Sequence, residues 1–243
     1  MRVETLRAGD NFIYVLVAGQ RAAVVDPGVA GPVQAFLDAE GLTLELILLT
    51  HYHGDHTGGV SALRRSGCVV AGPAGGPVAL DRVVVDGEAL DFGHSAIEVL
   101  DVPGHTAHDT AYCLPDEPAL FTGDVLFAGG CGRLFGGDAA PMWRSLCRLR
   151  ALPAETRLYG GHDYTLDNLE FAVHLEPDHP GVRERLARFR ADPHAAHPST
   201  LAEEKRTNPF LRCDDPALAA TIGMPGRDVV AVFAAVRGMK DRW

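Results

Sequence analysis

The segment Thr50-His51-Tyr52-His53-Gly54-Asp55-His56-Thr57-Gly58-Gly59 constrains this chain more than any other. It follows directly on Leu44-Glu45-Leu46-Ile47-Leu48-Leu49, an apolar run of strand length. In extended backbone His51 and His53 share a face. The chain then turns at Gly54, so Asp55 and His56 can point differently from the first pair. Four nitrogen or oxygen donors within six residues suit two neighbouring divalent ions. Imidazole and carboxylate are zinc ligands, and iron and manganese accept them too. Such a segment needs further donors from elsewhere. Three stand after short apolar β patterns: Pro103-Gly104-His105-Thr106 after IEVLDV, Thr122-Gly123-Asp124 after ALF, and Gly160-Gly161-His162 after RLY. Strand ends that each present one ligand describe a metal site at the rim of a sheet.

The rest of the composition bounds what surrounds such a site. With 243 residues, 47% hydrophobic and 22% charged, the chain is globular, with one large domain or one domain plus a smaller one. Its 22 basic and 32 acidic residues give a net charge of −10, which argues against nonspecific nucleic-acid or anionic-membrane binding. No apolar run reaches bilayer length, and Met1–Asp10 lacks the apolar core of a signal peptide. Five widely spaced cysteines with no C-x-x-C pair read as free thiols in a reducing compartment, hence a cytoplasmic protein.

Strand patterns cover Phe12–Val17, Ala22–Gly28 and the LELILL run, with helices at Pro32–Glu40 and Val60–Arg65. Short strands with Gly and Asp turns fill Cys68–Phe121, among them SAIEVLDV and TAYCLP. Beyond Leu166 no strand is expected. Residues 165–175, 181–191, 201–206, 215–221 and 226–237 read as helices, and Thr200 to Glu203 forms a capping box. The helix it opens must stop before Asn208-Pro209. The expected domains are 1–165 and 166–243. His94, His174, His179, His194 and His197 read as surface or helix-end residues, and His108 or Asp109 as candidates to orient a ligand.

The pattern His51-x-His53-x-Asp55-His56 with His105, Asp124 and His162 resembles the metallo-β-lactamase superfamily from about Asn11 to Tyr164. That resemblance implies an α/β chain, an αβ/βα sandwich with two metals at one edge. His51, His53 and His105 would hold the first metal, Asp55, His56 and His162 the second, and Asp124 would bridge them. A hydroxide shared by the metals would attack a carbonyl, with no separate general base evident.

Thr200-Leu201-Ala202-Glu203-Glu204, Thr207-Asn208-Pro209-Phe210-Leu211-Arg212 and Ala235-Val236-Arg237-x-x-Lys240-Asp241 resemble the all-helical C-terminal domain of the glyoxalase II (hydroxyacylglutathione hydrolase) family. So do Cys131-Gly132-Arg133 and Gly161-His162-Asp163-Tyr164-Thr165. This implies hydrolysis of S-(2-hydroxyacyl)glutathione, such as S-D-lactoylglutathione, in methylglyoxal detoxification. Two divalent ions, zinc foremost, would serve it, with no obligate protein partner evident. Arg133, Phe135, Tyr164, Arg237 and Lys240 would take the glutathione part. Phe135 departs from the family, which commonly carries a hydroxyl-bearing aromatic there. Arg237 and Lys240 are three apart on a helix and so share a face; a solvated basic helix end is the alternative. Competing readings are a one-iron persulfide dioxygenase, a lactonase or β-lactamase, and a metal-binding module without turnover. None of the related enzymes explains the helical tail.

Overall fold

The computed structural model describes residues 1–136, 138–193 and 197–243; the expectation for His194 lies outside them. Contacts divide the chain into two compact units, Met1–Asp101 with His108–Gly123, and Val102–Ala107 with Asp124–Trp243. This spatial division is not linear at residue 165.

In the first unit, strands β1 (Arg2–Ala8), β2 (Asn11–Ala18), β3 (Arg21–Val25), β4 (Thr43–Leu48), β5 (Val69–Gly72) and β6 (Arg82–Val83) form a mixed sheet in that order. β1, β2 and β3 pair antiparallel, and β3 to β6 pair parallel. A second, antiparallel run comes next: β7 (Ala89–Phe92), β8 (Ser95–Asp101), β9 (Thr110–Leu114) and β10 (Ala119–Gly123). Three helices intervene: α1 (Gly31–Glu40), α2 (Gly54–Thr57) and α3 (Val60–Leu63). Helix α1 carries a proline in its first turn and ends on Gly41 at φ 63°, a left-handed cap.

β2 shows why period-two reading is incomplete in a sandwich. All but its last residue are buried. Ile13, Val15 and Val17 pack with Val33 and Leu37 of α1 and Val60 and Leu63 of α3. On the opposite face Tyr14 meets Phe121 of β10, ring centroids 5.3 Å apart. The Tyr112 hydroxyl of β9 donates to the Leu49 carbonyl at 2.8 Å. Each fully buried aliphatic side chain contributes about 1.5–3 kcal/mol by leaving water.

The second unit holds the short hairpin β11 (Leu126–Phe127) and β12 (Gly130–Cys131), helix α4 (Ala139–Arg150) and strand β13 (Arg157–Gly160). Next come α5 (Thr165–Leu175), α6 (Pro180–Ala191), strand β14 (Ser199–Thr200), α7 (Leu201–Thr207), a 3-10 turn at Pro209–Leu211, α8 (Pro216–Thr221) and α9 (Val229–Lys240). Trp143, Phe171, Phe210 and Phe233 make the aromatic contacts among α4, α5, the 3-10 turn and α9.

The expectation of no strand beyond Leu166 is corrected by β14, which pairs antiparallel with β13 through Leu158–Ser199 and Arg157–Thr200. Two residues are too few to leave a periodic trace. The same Thr200 caps α7, its hydroxyl accepting the Glu203 amide at 3.3 Å. α9 starts at Val229, three residues after its expected start, because Asp228 caps it, and it ends at Lys240 rather than at 237. β1 and α4 have no counterpart in the sequence reading. β1 is a charged edge strand, and α4 carries Pro141 near its start, behind the Asp138 cap.

Candidate metal centre

In the first unit the ligand segment leaves β4 through buried Leu49 and Thr50. His51 is buried, His53 immediately precedes α2, and His56 on that helix is fully buried. The loop fits because glycines remove side chains where backbones meet. A Cβ on Gly28 would lie 1.7 Å from the Asp55 carbonyl oxygen, so only glycine allows that approach.

Hydrogen bonds set the imidazole tautomers. Asp26 accepts from the Thr50 amide at 2.8 Å, the Thr50 hydroxyl at 2.6 Å and His56 Nδ1 at 3.0 Å. His56 therefore carries its proton on Nδ1 and its lone pair on Nε2. Because the Thr50 hydroxyl donates to Asp26, it accepts from His51 Nδ1 at 3.0 Å. That puts the His51 lone pair on Nε2, 3.1 Å from His53 Nδ1. A nitrogen lone pair aimed at a second imidazole nitrogen at this distance is a place for a shared proton or cation. Asp55 is held through Asn11, whose amide donates to its carbonyl and to Oδ2, both at 3.1 Å. One Asp55 oxygen and one His56 nitrogen lie within 4.8 Å of each other.

In the second unit Asp124 Oδ2 lies 3.4 Å from His105 Nε2 and 3.3 Å from His162 Nε2. All three side chains are nearly buried. His105 Nδ1 donates to the Arg133 carbonyl at 2.9 Å, so its lone pair also lies on Nε2. A Cβ on Gly132 would fall 1.8 Å from the Asp124 carbonyl oxygen, which explains the glycine between Cys131 and Arg133. The donors in both units are imidazole and carboxylate, with side-chain or backbone partners already fixing several of them. This is the chemistry a borderline divalent ion accepts.

Three of the five expected substrate residues, Arg133, Phe135 and Tyr164, adjoin the second set. Phe135 stands edge-on to His105 at 5.2 Å, and Tyr164 stacks on His162 at 4.8 Å. Arg133, Phe135 and Tyr164 are exposed. Arg237 is buried: it donates to the Cys131 carbonyl at 2.7 Å and lies over Phe210. Lys240 donates to the Asp167 carbonyl at 3.0 Å and pairs with its carboxylate. Neither side chain is a solvated helix end, for their exposures are 7% and 8%. Burial lowers the Lys240 pKa, with Asp167 opposing. Burial pushes the Cys131 thiol up to about 11, with Arg237 opposing.

Sequence reasoning missed Asp26 and Asn11. Asp26 had a local signal, an acidic residue closing an apolar strand before Pro27-Gly28; Asn11 had none. Among the histidines set aside, His179 caps α6 by accepting the Val182 amide at 3.2 Å, and His174 packs against Trp243.

Layered sheets and histidine–carboxylate sets at strand ends define the class: a metallohydrolase of the metallo-β-lactamase type. The profile of the metallo-beta-lactamase superfamily matches residues 6–76 and 69–162, and that of the hydroxyacylglutathione hydrolase C-terminus matches 163–243. A hydroxyacylglutathione hydrolase of Methylococcus capsulatus is 48% identical over 96% of this chain and 94% of its own. The BLEG-1 B3 metallo-beta-lactamase superposes with a TM-score of 0.68 at 25% identity, covering 86% of this chain and 99% of that one. A protein named TTHA1623, crystallised in a di-iron-bound form, does so at 0.63 and 26%, covering 86% and 100%. The chain therefore belongs to the hydroxyacylglutathione hydrolase family, with the αβ/βα metallo-β-lactamase fold and a C-terminal helical region. Among the described residues no helix is long and apolar enough to cross a membrane.

Proposed function

We propose that this chain is a cytoplasmic, zinc-dependent thioesterase that hydrolyses S-(2-hydroxyacyl)glutathione, S-D-lactoylglutathione foremost, to glutathione and a 2-hydroxy acid. In this reading it completes methylglyoxal detoxification. The observation that carries it is one chain holding both the histidine–aspartate set and, at 42–48% identity along nearly its whole length, the likeness to relatives of that name.

His51, His53 and His105 would hold one ion, Asp55, His56 and His162 the other, and Asp124 would be shared by both. When bound, two such ions polarise a thioester carbonyl and lower the pKa of a water towards neutrality. The chain's own residues do the rest. Asp26, Thr50 and the Arg133 carbonyl keep imidazole protons on Nδ1, so Nε2 serves as the ligand atom. Asp124 can bridge because one carboxylate oxygen sits at nearly equal distance from two imidazoles. Asn11 holds Asp55 against rotation. Residues 1–165 carry this chemistry, and 166–243 bring the carrier's subsite. At that subsite Arg237 and Lys240 of 166–243, joined by Arg133 of 1–165, face the glutathione carboxylates; Tyr164 of 1–165 adds a hydroxyl hydrogen bond, and Phe135 of 1–165 contributes apolar contact only.

Metal analysis together with thioester hydrolysis tests the reading. Protein prepared with excess metal should hold about two ions per chain and cleave S-D-lactoylglutathione. Asp124→Ala should lose at least one ion and most turnover. One tightly held iron, with oxygen consumption on glutathione persulfide, would replace the thioesterase by a dioxygenase.

A further inference from the structure

The cationic cluster beside the second donor set is already partly neutralised from within. A single oxygen of Asp241, Oδ1, lies 3.3 Å from Arg133 Nε and 3.2 Å from Arg237 Nη2. Asp241 is the residue after α9, so its side chain projects from a helix end, not from within a packed face. Exposure is asymmetric: Arg237 is 7% exposed, whereas Asp241 is 38% and Arg133 65%. The inner cation is thus covered by an outer, half-open carboxylate. Arg237 is fixed independently of that carboxylate by the Cys131 carbonyl and the Phe210 ring. Its Nε is buried and has no hydrogen-bond partner among the described residues. Removing Asp241 would therefore leave the guanidinium in place with its charge uncovered. The neighbouring pair is built differently: Asp167 is gripped by Lys240 and also by the Trp243 indole at 3.1 Å. Among the described residues Asp241 has no such second anchor beyond its two arginines.

We propose that Asp241 is an internal competitor for the ligand's carboxylate, a specificity-determining residue that a bound glutathione derivative must displace from Arg133 and Arg237. This rests on the reading of the cluster as a glutathione subsite. Binding then exchanges one carboxylate for another at the same two guanidinium groups. An exchange of like charges gains less than binding to a bare cationic pocket would, which weakens the hold on glutathione after its thioester is cleaved. It also favours ligands whose carboxylate comes with further contacts, over simple anions that offer charge alone. A half-exposed ion pair is weak, so displacement is feasible.

The test is titration calorimetry of the metal-loaded protein with S-methylglutathione, a thioether that is not hydrolysed and has no free thiol for the metals. Asp241→Asn keeps shape and removes charge. It should bind about threefold to fivefold more tightly than the parent, the size expected for losing one competing exposed ion pair. Its affinity should also fall more steeply with salt, because a net positive charge has been uncovered. Arg133→Ala should move affinity the other way. If Asp241 merely propped the arginines, Asp241→Asn would loosen binding as Arg133→Ala does, and that result, or an unchanged dissociation constant with a normal thermal midpoint, overturns the inference while the subsite stands. If the parent cleaves a lactoyl thioester yet neither protein binds S-methylglutathione, the subsite itself falls and the inference with it.

Discussion

At the scale of single residues, the chemistry depends on side chains that never touch substrate. Asp26 is 3% exposed, sits at φ 50° and accepts three hydrogen bonds from Thr50 and His56. Asn tolerates that backbone, so Asp26→Asn changes chemistry without strain. Its amide presents donors where His56 Nδ1 also donates. The ring escapes by moving its proton to Nε2, the atom proposed to hold a metal. We expect metal affinity to drop by about 10–100-fold and stability by about 1–3 kcal/mol. Nitrogen chemical shifts of the His56 ring, read beside metal content, decide it; an unchanged tautomer with full metal occupancy would remove Asp26 from this role.

At the scale of elements, the segment Glu204–Asn208 is a strut beneath the hairpin that comes after Asp124. Glu204 is fully buried, accepting the Gly129 amide at 2.8 Å and the Asn208 amide at 3.0 Å. Its other oxygen meets Ser199 and Arg185, and Arg185 also donates to Thr207 at 2.8 Å. Asn208 donates to the carbonyls of Phe127 at 3.3 Å and Gly130 at 3.1 Å, while its own carbonyl accepts from Phe210. A motif that sequence likeness assigns to the helical domain thus holds β11 and β12 in place. Asn208→Ala strips donors from a buried carboxylate and two carbonyls, a loss of about 1–3 kcal/mol or more. Amide exchange should speed up first in Phe127–Cys131, and metal content should fall with it. Uniform acceleration across the molecule would mean the asparagine supports only global stability.

At the scale of the whole molecule, the thiols report the packing. All five cysteines are free, and Cys147 alone is not buried. Burial pushes Cys113 and Cys131 from 9.0 up to about 11, and raises Cys213 further still. A folded pKa above the unfolded one means that the unfolded chain releases its protons first as pH rises. The contribution is whole below about pH 9 and is lost as pH rises through about 11. The thermal midpoint should therefore fall across that alkaline window. Near neutrality an alkylating reagent should modify Cys147 well before the others. Rapid labelling of Cys131 in the native protein would contradict the buried, arginine-held environment that surrounds it.

The candidate ligand residues were legible in the sequence because metal chemistry permits few side chains and a strand-end loop places them a few residues apart. His51, His53, Asp55 and His56 could be named from spacing alone, and His105, Asp124 and His162 from their positions just past three apolar runs. The helices after Thr165 were legible because capping residues, prolines and glycines act locally. Whatever depends on distant partners was not. Asp26 became a tautomer-setting acceptor only when β3 was laid beside β4. Ser199 became a strand because β13 offered it an edge. Arg237 and Lys240 share a helix face, as their spacing requires. That both are turned inward and covered by Asp241 and Asp167 depends on neighbours 4 to 73 residues away in the chain. Local preferences are written in nearest neighbours; burial, and with it the charge and proton state of each group, is decided only when distant segments exclude water from one another.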